Sequence, residues 1–118
     1  MPRLSTHVLD TASGKPAAGL TIRLHRCRDG ERKLLKTVVT DADGRTGDLL
    51  LSGEALEPGV YELVFLAGDY FRAQGVPLPD PPFLDEVVIR FGIADRHAGY
   101  HVPLLLSPYG YSTYRGSW

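Results

Sequence analysis

Cysteine is nearly missing from this chain: Cys27 is the single one in 118 residues. A lone thiol excludes an internal disulfide framework and any Cys-rich metal site, and leaves Cys27 as a small residue on or near a strand. Long hydrophobic runs are missing too, since no apolar stretch reaches the roughly 18 residues of a membrane span. The opening Met1-Pro2-Arg3-Leu4-Ser5-Thr6-His7 has no apolar h-region and no small-residue cleavage site, so a soluble, cytoplasmic protein is expected. Neither sign of charge dominates: 13 Lys and Arg face 14 Asp and Glu, for a net charge of -1. The most basic stretch, residues 23–36, is broken by Asp29 and Glu31 and interleaved with Leu24, Leu34 and Leu35. It reads as the solvated face of a hairpin, and nucleic acid is not an expected partner. No Gly-x-Ser-x-Gly elbow, phosphate-binding loop or His-Glu-x-x-His motif is present, and no His or Cys spacing points to a metal.

What the chain does have is β-periodicity. At 43% hydrophobic residues it is an ordinary globular composition, and its length suits one domain over residues 1–118. So small a chain buries a modest fraction of its surface, which makes association a natural source of added stability. Residues 4–9 form a short strand that ends in the turn cluster of residues 10–16. Residues 20–25 alternate, with Leu20, Ile22 and Leu24 on one face. Arg28-Asp29-Gly30 then supplies an Asp-Gly hairpin turn, and residues 33–40 return as the partner strand. A second turn covers residues 41–45, and residues 48–51 read as another short strand. In residues 59–65 the alternation places Tyr61, Leu63 and Phe65 together. Residues 68–74 alone look helical, with Gly75 as the stop. The proline-rich residues 76–83 form a surface loop. Residues 86–93, 100–106 and 111–115 read as the last strands, with Pro103 marking an edge position or a bulge. Short strands at regular spacing define a single antiparallel β-sandwich.

Of the four histidines, His7 and His101 lie on strands where the alternating neighbours Val8, Tyr100 and Val102 are apolar. Period-two geometry turns both imidazoles to the face opposite that apolar set. If the two strands are close, the rings share a cleft and can do acid–base work near neutral pH. Exposed or hydrogen-bonded histidines without chemistry remain the alternative at this point. His25 in a basic alternating strand and His97 in a polar turn read as surface residues. The segment Tyr109-Gly110-Tyr111-Ser112-Thr113-Tyr114-Arg115-Gly116-Ser117-Trp118 is either a polar strand with aromatic cross-strand pairs or a set of donors for a planar, polar ligand.

These scattered groups coincide with three separated motifs. Leu4-Ser5-Thr6-His7-Val8-Leu9-Asp10-Thr11 followed by Gly14-Lys15-Pro16-Ala17 resembles the N-terminal signature of the 5-hydroxyisourate hydrolases in the transthyretin-like family. Thr40-Asp41-Ala42-Asp43-Gly44-Arg45 resembles their central turn. Tyr100-His101-Val102-Pro103-Leu104-Leu105-Leu106-Ser107-Pro108, with Tyr111-Ser112-Thr113-Tyr114-Arg115-Gly116-Ser117, resembles their C-terminal signature. Together the motifs cover essentially the whole chain.

The resemblance implies an all-β, transthyretin-type sandwich of two four-stranded sheets with one short helix. It implies a homotetramer with active sites at the dimer–dimer interface, and 5-hydroxyisourate as small-molecule substrate, without a cofactor or a metal. It also implies site residues: His7, Arg45, His101 and Ser117 as catalytic, with Tyr114 joining His7 and Arg45 in holding substrate. Two departures stand out. Gly99 occupies a place where the family often has a further histidine, and Trp118 follows Ser117, adding bulk beside the implied pocket. A non-catalytic transthyretin-like binding protein is the alternative, but it would have other residues in place of the His and Arg set.

Overall fold

The computed structural model describes residues 2–48 and 50–117. Strand β1 (Arg3–Asp10) has every second residue buried: Leu4, Thr6, Val8 and Asp10 point inward, while Ser5, His7 and Leu9 stay half-buried on the outer side. That is the two-residue period of a strand with one face on a core. Strand β2 (Lys15–Pro16) returns antiparallel along the end of β1. Strands β3 (Thr21–Arg28) and β4 (Glu31–Val39) form the expected hairpin. Its two-residue turn has Asp29 at φ 53° and Gly30 at φ 77°, the left-handed pair that lets a tight turn follow the twist of its strands.

The short strand β5 is Leu51–Ser52, displaced from the expected 48–51. Thr46 Oγ1 donates to the Asp48 carbonyl (2.7 Å), holding that stretch in a bend, and Leu49 lies outside the described residues. Strand β6 (Gly59–Phe65) leads into helix α1 (Ala67–Ala73). Tyr70 and Phe71 of the helix are buried, and Gly75 at φ 79° ends it while the Val76 amide reaches back to the Phe71 carbonyl. The Tyr70 hydroxyl donates to buried Asp10 at 2.8 Å; burial and that carboxylate raise the phenol's pKa well above its usual value. The helix is thereby tied to the end of β1.

Strands β7 (Val87–Ile93), β8 (Tyr100–Ser107) and β9 (Gly110–Thr113) complete the sandwich. One sheet has the order β4-β3-β6-β7; the other has the path β2-β1-β8-β9, with β5 added beside β1. The core lies between them, with Leu4, Leu24, Tyr61, Leu63, Phe65 and Leu104 almost fully covered. Two expectations need correction. The sandwich is not antiparallel throughout, because β1 and β8 pair in parallel over seven positions. Parallel neighbours need a long connection, and nearly the whole chain runs between these two strands.

Pro103 marks neither an edge nor a bulge, since β8 lies between β1 and β9. Pairing of β8 with β9 runs from Ser107–Gly110 to Leu104–Thr113, stops, and resumes in the same register at His101–Gly116. Two positions drop out, Pro103 opposite Tyr114 and Val102 opposite Arg115; the first would need an N–H that proline lacks. Thr113 Oγ1 donates to the Pro103 carbonyl instead (2.7 Å). The gap falls on the β9 side only, so the β1 ladder is intact. It also ends β9 at Thr113, short of the expected Arg115.

Candidate active site

The parallel ladder sets Ser5 opposite His101 and His7 opposite Pro103. Since Leu4, Thr6 and Val8 face the core with Tyr100, Val102 and Leu104, the side chains of Ser5, His7 and His101 share the outer face of the sheet. Both imidazoles are half-buried there.

Arg45 arrives from a loop. Residues Asp41–Arg45 close a tight turn: the Asp41 amide donates to the Arg45 carbonyl (2.7 Å), and Asp41 Oδ1 accepts from the amides of Asp43 and Arg45. Gly44 takes φ 73° at the apex. Its carbonyl accepts the Val8 amide at 2.9 Å, and Arg45 forms an isolated bridge with His7. The backbone of Arg45 is thus held beside His7 on the edge of β1 between β5 and β2, and its side chain is exposed in a single chain.

His101 is the most constrained of the three. Ser5 Oγ lies 2.7 Å from its Nδ1, and its carbonyl accepts the Gly116 amide at 2.7 Å. A Cβ on Gly116 would stand 2.6 Å from His101 Cδ2, so only glycine lets the terminal strand lie against the ring. Burial first, then the charges of Arg45 and His7, hold the His101 pKa below the usual 6.5. The ring is therefore neutral at pH 7 and able to accept a proton. Ser117 follows directly after the Gly116 bridge and is exposed. Tyr114 is exposed too and lines a cavity of about 290 Å³ with Phe91, Tyr100 and Arg115, between the edges of β7 and β9. The structure of one chain therefore groups His7, Arg45 and His101, puts Ser117 next to them along the strand, and sets Tyr114 at the sandwich edge. Trp118 lies outside the described residues.

Of the remaining histidines, His97 is exposed as expected, whereas His25 is half-buried and its Nδ1 has no hydrogen-bond partner among the described residues. Burial, with Arg32 nearby, lowers the His25 pKa. A larger cavity of about 540 Å³ lies under the β3–β4 hairpin. Its Arg26 and Arg32 are engaged by Glu57 and Glu62, and it holds no histidine. Its size therefore does not make it the reactive centre. Among the described residues no three His, Cys, Asp or Glu side chains converge as metal ligands, and no helix is long and apolar enough to cross a membrane.

Two residues escaped the sequence reading. Ser5 lies two positions before His7, so the same alternation puts it on the histidine face. Gly116 is a glycine inside a quoted motif, and nothing in the sequence says that an imidazole lies against it.

Fold and site define a β-sandwich of transthyretin type with two imidazoles and a guanidinium on the outer face of one sheet. The chain belongs to the HIUase/Transthyretin family, whose model matches residues 4–116. It is 63% identical over 115 residues to 5-hydroxyisourate hydrolase 2 of Rhizobium meliloti, covering 98% of this chain and 96% of that one. A crystal structure of (S)-allantoin synthase superposes with a TM-score of 0.91 at 44% identity over 98% of this chain, which spans 44% of the synthase chain. Sea bream transthyretin in complex with thyroxine superposes with a TM-score of 0.87 at 29% identity, covering 98% of this chain and 96% of that one.

Proposed function

We propose that this chain hydrolyses 5-hydroxyisourate to 2-oxo-4-hydroxy-4-carboxy-5-ureidoimidazoline in urate breakdown. The observation that carries the reading is the convergence of His7, Arg45 and neutral His101 on one sheet face. The name borne by the Rhizobium meliloti relative supports it.

In the reaction a water oxygen bonds to a ring carbonyl carbon, and the bond from that carbon to the ring nitrogen breaks. One proton of the water passes to a base and a proton is delivered to the leaving nitrogen, so the carbonyl becomes a carboxyl group, whose remaining proton passes to solvent to leave the carboxylate. His101 is the proton acceptor, since a neutral ring with a lowered pKa is competent near pH 7. His7 is the partner that returns a proton to the nitrogen. Arg45 holds the substrate oxygens and offsets the negative charge that builds on the attacked carbonyl. Ser117 and Tyr114 approach the substrate from the terminal segment.

A homotetramer in the cytoplasm completes the reading, with sites at the dimer–dimer interface. The unpaired edges of β7 and β9, lying on the same side of the two sheets, give the chain a place to associate. The test is to generate 5-hydroxyisourate from urate with urate oxidase and follow its ultraviolet absorbance. Accelerated decay is expected from a species four times the 13.0 kDa chain mass, with a loss of roughly 10²–10³-fold in Arg45→Ala. Decay at the spontaneous rate with saturable binding would favour a carrier, and an active monomer would remove the interface from the site.

A further inference from the structure

Ser5 is the unassigned group in closest polar contact with the site. The ladder makes it the cross-strand neighbour of His101, and its Oγ lies 2.7 Å from Nδ1, the ring nitrogen nearer the backbone. The opposite ring edge is closed by Gly116, whose Cα carries no side chain to keep the strand from Cδ2. The imidazole is thus gripped on two edges. Rotating it by half a turn about χ2 would put a carbon against the serine hydroxyl and a nitrogen against the glycine backbone. The observed orientation sets Nδ1 against the serine hydroxyl and leaves Nε2 as the ring nitrogen remote from Ser5.

We infer that Ser5 is a positioning residue for His101: its hydroxyl oxygen accepts the Nδ1–H, keeps the proton on that nitrogen, and so makes Nε2 the atom that takes up the proton. Which imidazole nitrogen is protonated is set by the bond the other one makes. With Nδ1–H held, proton uptake at Nε2 yields the imidazolium without any change at Nδ1, and its new charge strengthens the bond to Ser5. The grip thus persists from the resting ring to the protonated one. Without the hydroxyl the Ser5 contact no longer holds the proton on Nδ1, and a neutral ring that carries it on Nε2 cannot accept a proton there. The inference rests on the hydrolytic reading for its consequence in turnover, but not for its statement about the ring.

The test labels the histidine rings with ¹⁵N and reads the His101 nitrogen shifts in the full-length protein between pH 5 and 9, assigned by their disappearance in His101→Asn. Wild type is expected to show a protonated-type Nδ1 and an unprotonated-type Nε2 in the neutral ring. Ser5→Ala should shift the pair toward the opposite tautomer or an average, and Ser5→Thr, which keeps the hydroxyl, should restore it. Turnover of 5-hydroxyisourate should fall about 10–100-fold in Ser5→Ala, in kcat more than in KM, and return in Ser5→Thr. Nitrogen shifts identical in wild type and Ser5→Ala would overturn the assignment, whatever the turnover. Shifts that move as expected in a protein without hydrolytic activity would leave Ser5 as the group that orients His101 and would count against the proposed reaction alone.

Discussion

A His101→Asn protein is expected to fold and to lose turnover by about 10²–10⁴-fold, the usual contribution of a positioned acid–base group. Asparagine keeps a polar atom near Ser5 Oγ and fits against Gly116, so the grip on the strand is approximately kept. What it cannot do is take up a proton near pH 7. The wild-type pH profile follows from the same feature. Burial, with Arg45 and His7 close by, holds the His101 pKa below 6.5. The base form therefore predominates at neutral pH and is lost as pH falls through the lowered value. kcat/KM should rise along an acid limb whose midpoint lies below 6.5. Steady-state decay of 5-hydroxyisourate at a series of pH values, corrected for the spontaneous rate, checks both points. Unchanged activity in His101→Asn, or an acid limb with its midpoint above 6.5, would take the base role from His101.

The second large effect is expected from Gly44→Ala, a single methyl group outside the histidine set. Gly44 has φ 73°, and an added Cβ would collide with the backbone carbonyl of Val8, which already accepts the Ala17 amide. A left-handed backbone costs a residue with a Cβ roughly 1–3 kcal/mol, and here the obstacle is main chain that cannot rotate away. Relief requires the loop to leave β1, breaking the bond from the Val8 amide to the Gly44 carbonyl and the bridge between His7 and Arg45. The variant should lose about 2–4 kcal/mol of stability and, at temperatures where it is folded, most of its turnover, because Arg45 no longer stands beside His7. Gly47→Ala is the control: nothing lies within 4 Å of its Cβ and its φ is ordinary, so stability and turnover should be near wild type. Thermal unfolding with activity on the same samples separates the cases. A fully active, stable Gly44→Ala protein would mean that the loop does not carry Arg45 to the site through this contact.

Much of the fold was legible because burial follows period two so plainly. Leu20, Ile22 and Leu24 face inward as the alternation required, and Asp29-Gly30 makes the hairpin turn its residues dictate. The helix came within one residue of its place because Gly75 stops it. Pairing was less legible. Nothing in residues 4–9 or 100–106 says that the two strands run parallel, since the partner choice is made by the core they jointly close. Pro103 suggested an edge position or a bulge because proline usually avoids central strands; here its missing N–H interrupts only the β9 side and leaves the β1 ladder intact. For the site, alternation turned His7 and His101 each away from the apolar side of its strand, the ladder joined those sides into one face, and the motif resemblance supplied Arg45. The contacts that orient His101 were out of reach, because Ser5 and Gly116 act through a register that only the folded ladder defines.

Binding of an oxidised purine on the outer face of the β1–β8 pair is tested by a crystal structure with xanthine, which has the same fused rings as the substrate but, being aromatic, does not undergo the ring opening. The ring is expected within hydrogen-bonding distance of Arg45 and both His7 and His101, with the terminal segment of the same or a neighbouring chain beside it. Xanthine seated only in the cavity under the β3–β4 hairpin, or between the edges of β7 and β9, would contradict it.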